Sequence, residues 1–279
     1  MSKRIGFMQG RLSPLVSGRI QAFPTSCWQE EFPTAKKHGF ELMEWTLDQE
    51  LLYENPLLTL PGQSEIRELC ETHGISILSL TGDCFMQSPF WKAKGSEVAL
   101  LLRDFHAVAQ ACSVVKISMM VIPLVDNGRI ENQGQEDVLV EVLNDQSSFL
   151  SSIGVKVVFE SDFGPGELSR FINRLDPGSF GVNYDIGNSA SLGMNPVEEI
   201  SAYGDRILNV HIKDRLLGGT TVPLGTGNAD FDAVFAALGR SRYSGSYILQ
   251  TARAIDGQHA QVLCRYRDMA VGWLSQYGA

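Results

Sequence analysis

Residues 180–231 read FGVNYDIGNSASLGMNPVEEISAYGDRILNVHIKDRLLGGTTVPLGTGNADF. Two short apolar runs lie in this stretch, Val182-Asn183-Tyr184 and Ile207-Leu208-Asn209-Val210, and each ends in a side chain able to hold a metal. Asp185 follows the first and His211 follows the second. Between them, Asn195 is placed to cap a helix that has Pro196 at its first position. An Asn side chain satisfies free N–H groups of a first turn, and proline has no N–H to leave unpaired there. Beyond the second run comes a glycine-rich loop carrying Lys213, Asp214 and Arg215. The unit is strand, polar tip, helix, strand, polar tip.

Working outward, the same unit recurs. Strands are predicted at Arg4 to Met8, Phe40 to Met43, Ile75 to Leu80, Val115 to Ile122, Val155 to Phe159 and Ser246 to Leu249, in addition to the two above. Helices are predicted over 30–38, 63–73, 96–112, 135–152, 165–175, 229–238 and 257–277. In the third of these, Val98, Leu101, Leu102, Phe105, Val108 and Cys112 follow helical spacing. Eight β units, each followed by a helical segment, predict an α/β fold: a single (β/α)8 TIM barrel covering residues 1–279. A doubly wound sheet would not need eight evenly spaced units, and no G-x-G-x-x-G follows the first strand.

Loop lengths say which end works. Helix-to-strand turns are short and stop at Gly39, Gly74, Gly154 and Gly204, whereas strand-to-helix loops are long: 9–29, 45–62, 81–95, 123–134 and 213–228. In a barrel the long set gathers at the C-terminal ends of the strands, where barrel active sites lie.

Composition narrows the class. Of 279 residues 44% are hydrophobic, enough for a large core, yet no run approaches the roughly 18 apolar residues of a membrane span. The start, MSKRIGFMQGRLSP, is not a secretory signal. Five scattered cysteines without a C-x-x-C pair fit a reduced cytoplasm. A net charge of −9 argues against nucleic acid as a main partner, because phosphate backbones need a basic footprint. Apolar residues in the long loops would suit a homodimer.

Four predicted strand tips, on strands five to eight, carry Glu160, Asp185, His211 and Gln250. Neighbouring strands lie about 4.8 Å apart, so these side chains can converge on one divalent ion. Carboxylate, imidazole and amide oxygen together suit Mn, Mg, Co or Zn. His211 is the one histidine of five at a strand end; His38 and His73 end helices, and His106 and His259 fall within them. The competing role for Glu160 and Asp185 is a structural ion pair, and for Gln250 a neutral hydrogen bond.

Four segments, V-V-F-E at 157–160, N-Y-D-I-G-N at 183–188, N-V-H-I-K-D at 209–214 and P-L-G-T-G-N-A-D-F at 223–231, make nearly the whole chain resemble the sugar phosphate isomerase/epimerase family of xylose-isomerase-like barrels. The resemblance implies a divalent ion on strands five to eight, a sugar or sugar phosphate bound through it, and proton transfer between adjacent carbons. Two positions depart from the family. Glutamate is common at the end of strand eight, where this chain has Gln250, and histidine is often found three residues after the strand-six Asp, where it has Asn188. Family epimerases pair two glutamates as acid and base; Glu160 is one, and an amide cannot exchange a proton at neutral pH.

The expected activity is a metal-dependent isomerase or epimerase working through a metal-stabilised enediolate, with Glu160 as base and Lys213 next in line. Dehydration of a polyol-like substrate and non-catalytic sugar binding are the alternatives; a multi-zinc nuclease would need more histidines than the chain has. For an anionic group we single out Arg11, Arg215, Arg253 and the Gly218-Gly219 and Gly225-Thr226-Gly227 segments. Glu44 and Trp45, at the tip of the second strand, and Asn188 are further substrate-binding candidates, and Phe85, Phe90 and Trp91 are candidates for a lid.

Overall fold

Short apolar runs with helices between them have one way to cover both faces of every strand, and the chain takes it. A computed structural model describes residues 5–254 and 257–278. Within them eight strands close into a barrel: β1 (Ile5–Met8), β2 (Leu42–Leu47), β3 (Ser76–Gly82), β4 (Met119–Leu124), β5 (Lys156–Ser161), β6 (Phe180–Asp185), β7 (Ile207–Ile212) and β8 (Ser246–Leu249). Every neighbouring pair is parallel, and β8 closes the ring on β1.

Around the barrel run α1 (Glu31–Lys37), α2 (Leu60–His73), α3 (Asp83–Gln87), α4 (Ser96–Val114), α5 (Gln133–Ile153), α6 (Pro165–Ile172), α7 (Ile186–Ser191), α8 (Pro196–Tyr203), α9 (Phe231–Arg240) and α10 (His259–Tyr277). Asn195 caps α8 as its position predicts: its Oδ1 accepts from the amides of Val197 and Glu198 at 2.9 and 3.4 Å. Among these described residues no helix is long and apolar enough to cross a membrane.

Several boundaries differ from expectation. Strands β2 to β5 begin later than predicted and reach further toward the working face, so Glu44 and Trp45 lie within β2 rather than at its tip. The fourth strand cannot start at Val115 because Lys116 takes a left-handed turn, φ 68°. Gly39, Gly74 and Gly154 end their helices left-handed, at φ 74°, 67° and 70°. Gly204, with φ −61°, instead continues into a short 3-10 turn. Arg4, expected to open β1, lies outside the described residues.

Two apolar bodies form. The larger joins the outer faces of the strands to the helices. A smaller one, Met8, Leu42 and Ile248 with Leu78 against it, plugs the barrel interior. Trp45 belongs to the outer body: fully buried, it packs on Phe23 and Trp28 at 5.4 and 5.5 Å between ring centroids, and its Nε1 donates to Asn55. Each such ring adds about 2–3 kcal/mol of burial, which ties the long first loop to β2.

Candidate metal centre

Above the apolar plug the interior turns polar. Side chains of a strand alternate faces, so Asn183 points the same way as Asp185, and Asn209 the same way as His211. Asp185 and His211 sit side by side in register on β6 and β7. His211 is fully buried. Its Nε2 lies 2.7 Å from Glu44 Oε1; its Nδ1 faces Glu160 Oε2 at 3.2 Å and Asp185 Oδ2 at 3.7 Å. Burial acts to lower the imidazole's pKa, but the carboxylates of Glu44, Asp185 and Glu160 outweigh it and hold it well above its ordinary range.

Glu44 does not line the cavity. It lies under His211 and accepts from Ser79 Oγ and Thr81 Oγ1, each at 2.5 Å, and from Asn209 Nδ2 at 2.9 Å. Burial acts to raise its carboxyl; His211 and the two hydroxyls overcome that and keep it below the usual range. By occupying Nε2, Glu44 orients the ring so that Nδ1 points up toward the strand tips.

Glu160 accepts one amide on each oxygen, Asn188 Nδ2 on Oε1 at 2.5 Å and Asn183 Nδ2 on Oε2 at 3.1 Å. Asp185 Oδ1 caps α7, accepting from the Asn188 amide at 2.8 Å. Its buried Oδ2 is ion-paired with Lys213 Nζ at 2.6 Å. Burial raises the Asp185 carboxyl, and the Lys213 ammonium with His211 outweighs this, bringing it below its ordinary range. Ligand atoms of Glu160, Asp185 and His211 all lie within 4.8 Å of one another. Two carboxylates and an imidazole nitrogen so placed fit a divalent cation.

The D-I-G-N motif is legible atom by atom. Asp185 caps, Asn188 clamps Glu160, and Gly187 leaves room for Lys213: a Cβ there would meet Lys213 Cγ at 2.7 Å. Gln250, the fourth expected ligand, accepts from Lys213 Nζ at 2.7 Å and donates to Gln21 Oε1 at 3.0 Å. Glu160, Asn188, Lys213, Arg215 and Gln250 share one open cavity of about 490 Å3, together with Gln21 and Asp83, two polar residues that no motif flagged. A separate surface groove of about 630 Å3 runs between His38, at the end of α1, and Cys264 of α10, and holds none of these groups.

The expected anion-binding groups are distributed otherwise. Arg11 is buried, with Nε on the Thr251 carbonyl and Nη1 on that of Ile20; Arg253 donates to the Ser13 carbonyl. Neither is among the residues that line the cavity. Arg215 does line it, with Nε and Nη2 on the Gly219 carbonyl and Nη1 on Asn188 Oδ1. Amides of Gly225, Gly227 and Ala229 wrap the Asp214 carboxylate at 2.8–3.1 Å, so the glycine-rich loop already holds an anion of its own chain. Phe85 and Phe90 pack on Phe105 and Trp91 packs on Phe90; all three are buried and none lines the cavity.

Comparison with known proteins bears on this geometry. The chain is 25% identical over 185 residues to an inosose dehydratase of Clostridium botulinum strain Alaska E43, a match covering 58% of this chain and 59% of that relative's length. Its fold follows that of a crystallised IolI protein with a bound zinc atom, with a TM-score of 0.77 at 18% identity over 98% of this chain and 99% of the other. It also follows the Escherichia coli 3-keto-D-glucoside 4-epimerase YcjR, with a TM-score of 0.70 at 18% identity over 96% and 100% of the two chains. The sequence pattern of xylose isomerase-like TIM barrels matches residues 32–264, and the chain belongs to that family.

Proposed function

We propose that the chain is a divalent-metal-dependent isomerase or epimerase that moves a proton beside the carbonyl of an uncharged sugar. One observation carries this reading: ligand atoms of Glu160, Asp185 and His211 all lie within 4.8 Å of one another, and Glu160 lines the cavity. Held by these residues, a divalent ion would act as a Lewis acid on a carbonyl oxygen and acidify the neighbouring C–H.

The chain's own side chains do the rest. Glu160 is the base: Asn183 and Asn188 fix its plane while each oxygen keeps a lone pair. Lys213, held between Asp185 and Gln250, puts a positive charge where negative charge gathers on the substrate oxygen. Asn188 and Arg215 form the wall that a hydroxylated ring would meet. Support for an uncharged substrate comes from the donors already committed: Arg11 and Arg253 to carbonyls, Arg215 to Gly219 and Asn188, the glycine amides to Asp214, and Arg129, the other arginine of the cavity, to Asp162.

A second reading has one observation in its favour, the likeness to a protein named inosose dehydratase. Glu160 would remove the same proton, and hydroxide would then leave the adjacent carbon. A screen of ketoses, aldoses, inososes and their phosphates in deuterated buffer with Mn2+ separates the two. Isomerisation leaves a product isomeric with the substrate and carrying solvent deuterium; dehydration gives a product lighter by one water. If no compound takes up deuterium or changes mass, both readings fail. A cytoplasmic homodimer completes the proposal, supported by five cysteines without disulfides and by exposed Leu51 and Leu217 on working-face loops. A monomeric mass by light scattering would remove the dimer.

A further inference from the structure

Gln250 takes a carboxylate away from the tip of β8, but the cavity holds another that the roles above leave unused. Asp83 follows β3 directly and opens α3, buried at 6% exposure. Gln21, on the loop after β1, donates Nε2 to Asp83 Oδ2 at 2.6 Å and accepts from Gln250 Nε2 at 3.0 Å. Gln250 in turn accepts from Lys213 at 2.7 Å. A continuous hydrogen-bonded line thus runs from Asp83 through both glutamines to the ammonium beside Asp185. Strand order puts β3 opposite β7, with β5 midway, so Asp83 and Lys213 stand on opposite sides of the mouth and Glu160 between them.

Resting on the functional reading above, we propose that Asp83 is the proton donor that works with Glu160, in place of the carboxylate missing from β8. Glu160 starts as a carboxylate and takes the proton from the carbon beside the carbonyl; the electron pair of that C–H bond passes into the enediolate. Asp83 starts as the acid and gives its proton to carbon, forming the new C–H bond and ending as a carboxylate. Exchange with water resets both groups.

Asp83 is suited to start protonated. Burial pushes its carboxyl up to about 7; the Gln21 hydrogen bond and Lys213 oppose this, while Asp48 and Glu160 add to it. Arg11 also acts on it through space, and Asp126 lines the same cavity from the loop after β4. A base in its carboxylate form and a protonated acid at the same cavity are what two-residue proton transfer requires.

Asp83→Asn keeps the shape and the acceptor for Gln21 but has no proton to give. With Mn2+ bound and a substrate that the wild type turns over, the variant should form product about 100-fold more slowly or worse. Solvent deuterium should still wash into recovered substrate within about tenfold of the wild-type rate, because Glu160 is intact. Wild-type turnover should fall as pH rises through about 7, and Asp83→Asn should lose that limb. Asp83→Glu should restore part of the rate, and wild-type Mn2+ affinity in both variants reports an intact site. Product formation at the wild-type rate in Asp83→Asn would overturn the inference and leave the functional reading standing. Equal loss of exchange and product would overturn the donor role as well. Neither exchange nor product in the wild type would sink the functional reading, and this inference with it.

Discussion

Glu44 and Glu160 approach His211 from opposite sides, at 2.7 Å from Nε2 and 3.2 Å from Nδ1, and both are buried. Their surroundings differ. Glu44 has two donors on each oxygen, from Thr81 and His211 on one and from Ser79 and Asn209 on the other. Glu160 has one amide on each oxygen, and its neighbour Asp185 has the Asn188 amide on one oxygen and the Lys213 ammonium beside the other. A buried charge is costly unless hydrogen bonds or a counter-charge offset it. Below the imidazole hydrogen bonds fill both oxygens of the carboxylate; above it Lys213 supplies a counter-charge to Asp185, and Glu160 keeps lone pairs for a cation and a substrate. One carboxylate holds the ring still, and the other is kept available.

The contrast can be broken most directly by neutralising each acid. Glu44→Gln should destabilise the fold by about 3–5 kcal/mol, because it strips a charge from a filled network and leaves buried donors unmatched. Glu160→Gln should cost less than about 1 kcal/mol while lowering turnover at least about 100-fold. Equal costs for the two in chemical denaturation would erase the distinction.

His211→Ala sharpens the upper half. It removes one of the three converging candidate ligands and should lower Mn2+ affinity about 100-fold. Unchanged metal content by elemental analysis would count against the site.

Asp83 tests whether burial without enough donors sets a carboxyl's behaviour. Its folded pKa of about 7 lies above its ordinary 3.8, so the folded chain binds more protons across that window. Its contribution to stability is full below the ordinary value and is lost as pH rises through about 7. Relative to Asp83→Asn, the wild type with chelator present should lose about 2 kcal/mol of stability from about pH 5 to 6.5. Parallel pH profiles for the two would show that Asp83 titrates normally.

Phosphate should have the smallest effect. With the glycine amides holding Asp214, inorganic phosphate at about 10 mM should shift the unfolding temperature by less than about 1 °C. A clear upward shift would restore an anion site and with it a phosphorylated substrate.

Some of this was legible in the residues and some was not. Strand–helix alternation and loop lengths sufficed for the barrel and its working end, because both are local patterns. Asp185 and His211 were found because each ends an apolar run. Asn183 and Asn209 carried a signal that could have been used, since alternation puts them on the same face as those two ligands. Glu44 was misplaced at a strand tip because β2 runs four residues past the predicted end, Met43, to Leu47. Its partners Asn209 and His211 are 165 and 167 residues away, so no local pattern connects them. The Gly225–Gly227 turn looked like an anion cradle, which it is, and Asp214 of the same chain fills it.

The sequence by itself determined the repeat, the cap at Asn195 and the line of Glu160, Asp185, His211 and Gln250 along consecutive strand tips. These depend on residue type and spacing along one stretch of backbone. Only the tertiary structure decided which polar groups would be satisfied and which would not. It filled Glu44, committed Arg11, Arg253 and the loop amides, and left the Glu160 and Asp83 carboxyls at the cavity. Hydrogen-bond satisfaction and desolvation depend on what closure of the barrel brings together from distant parts of the chain, and ring closure has no signature in any single segment.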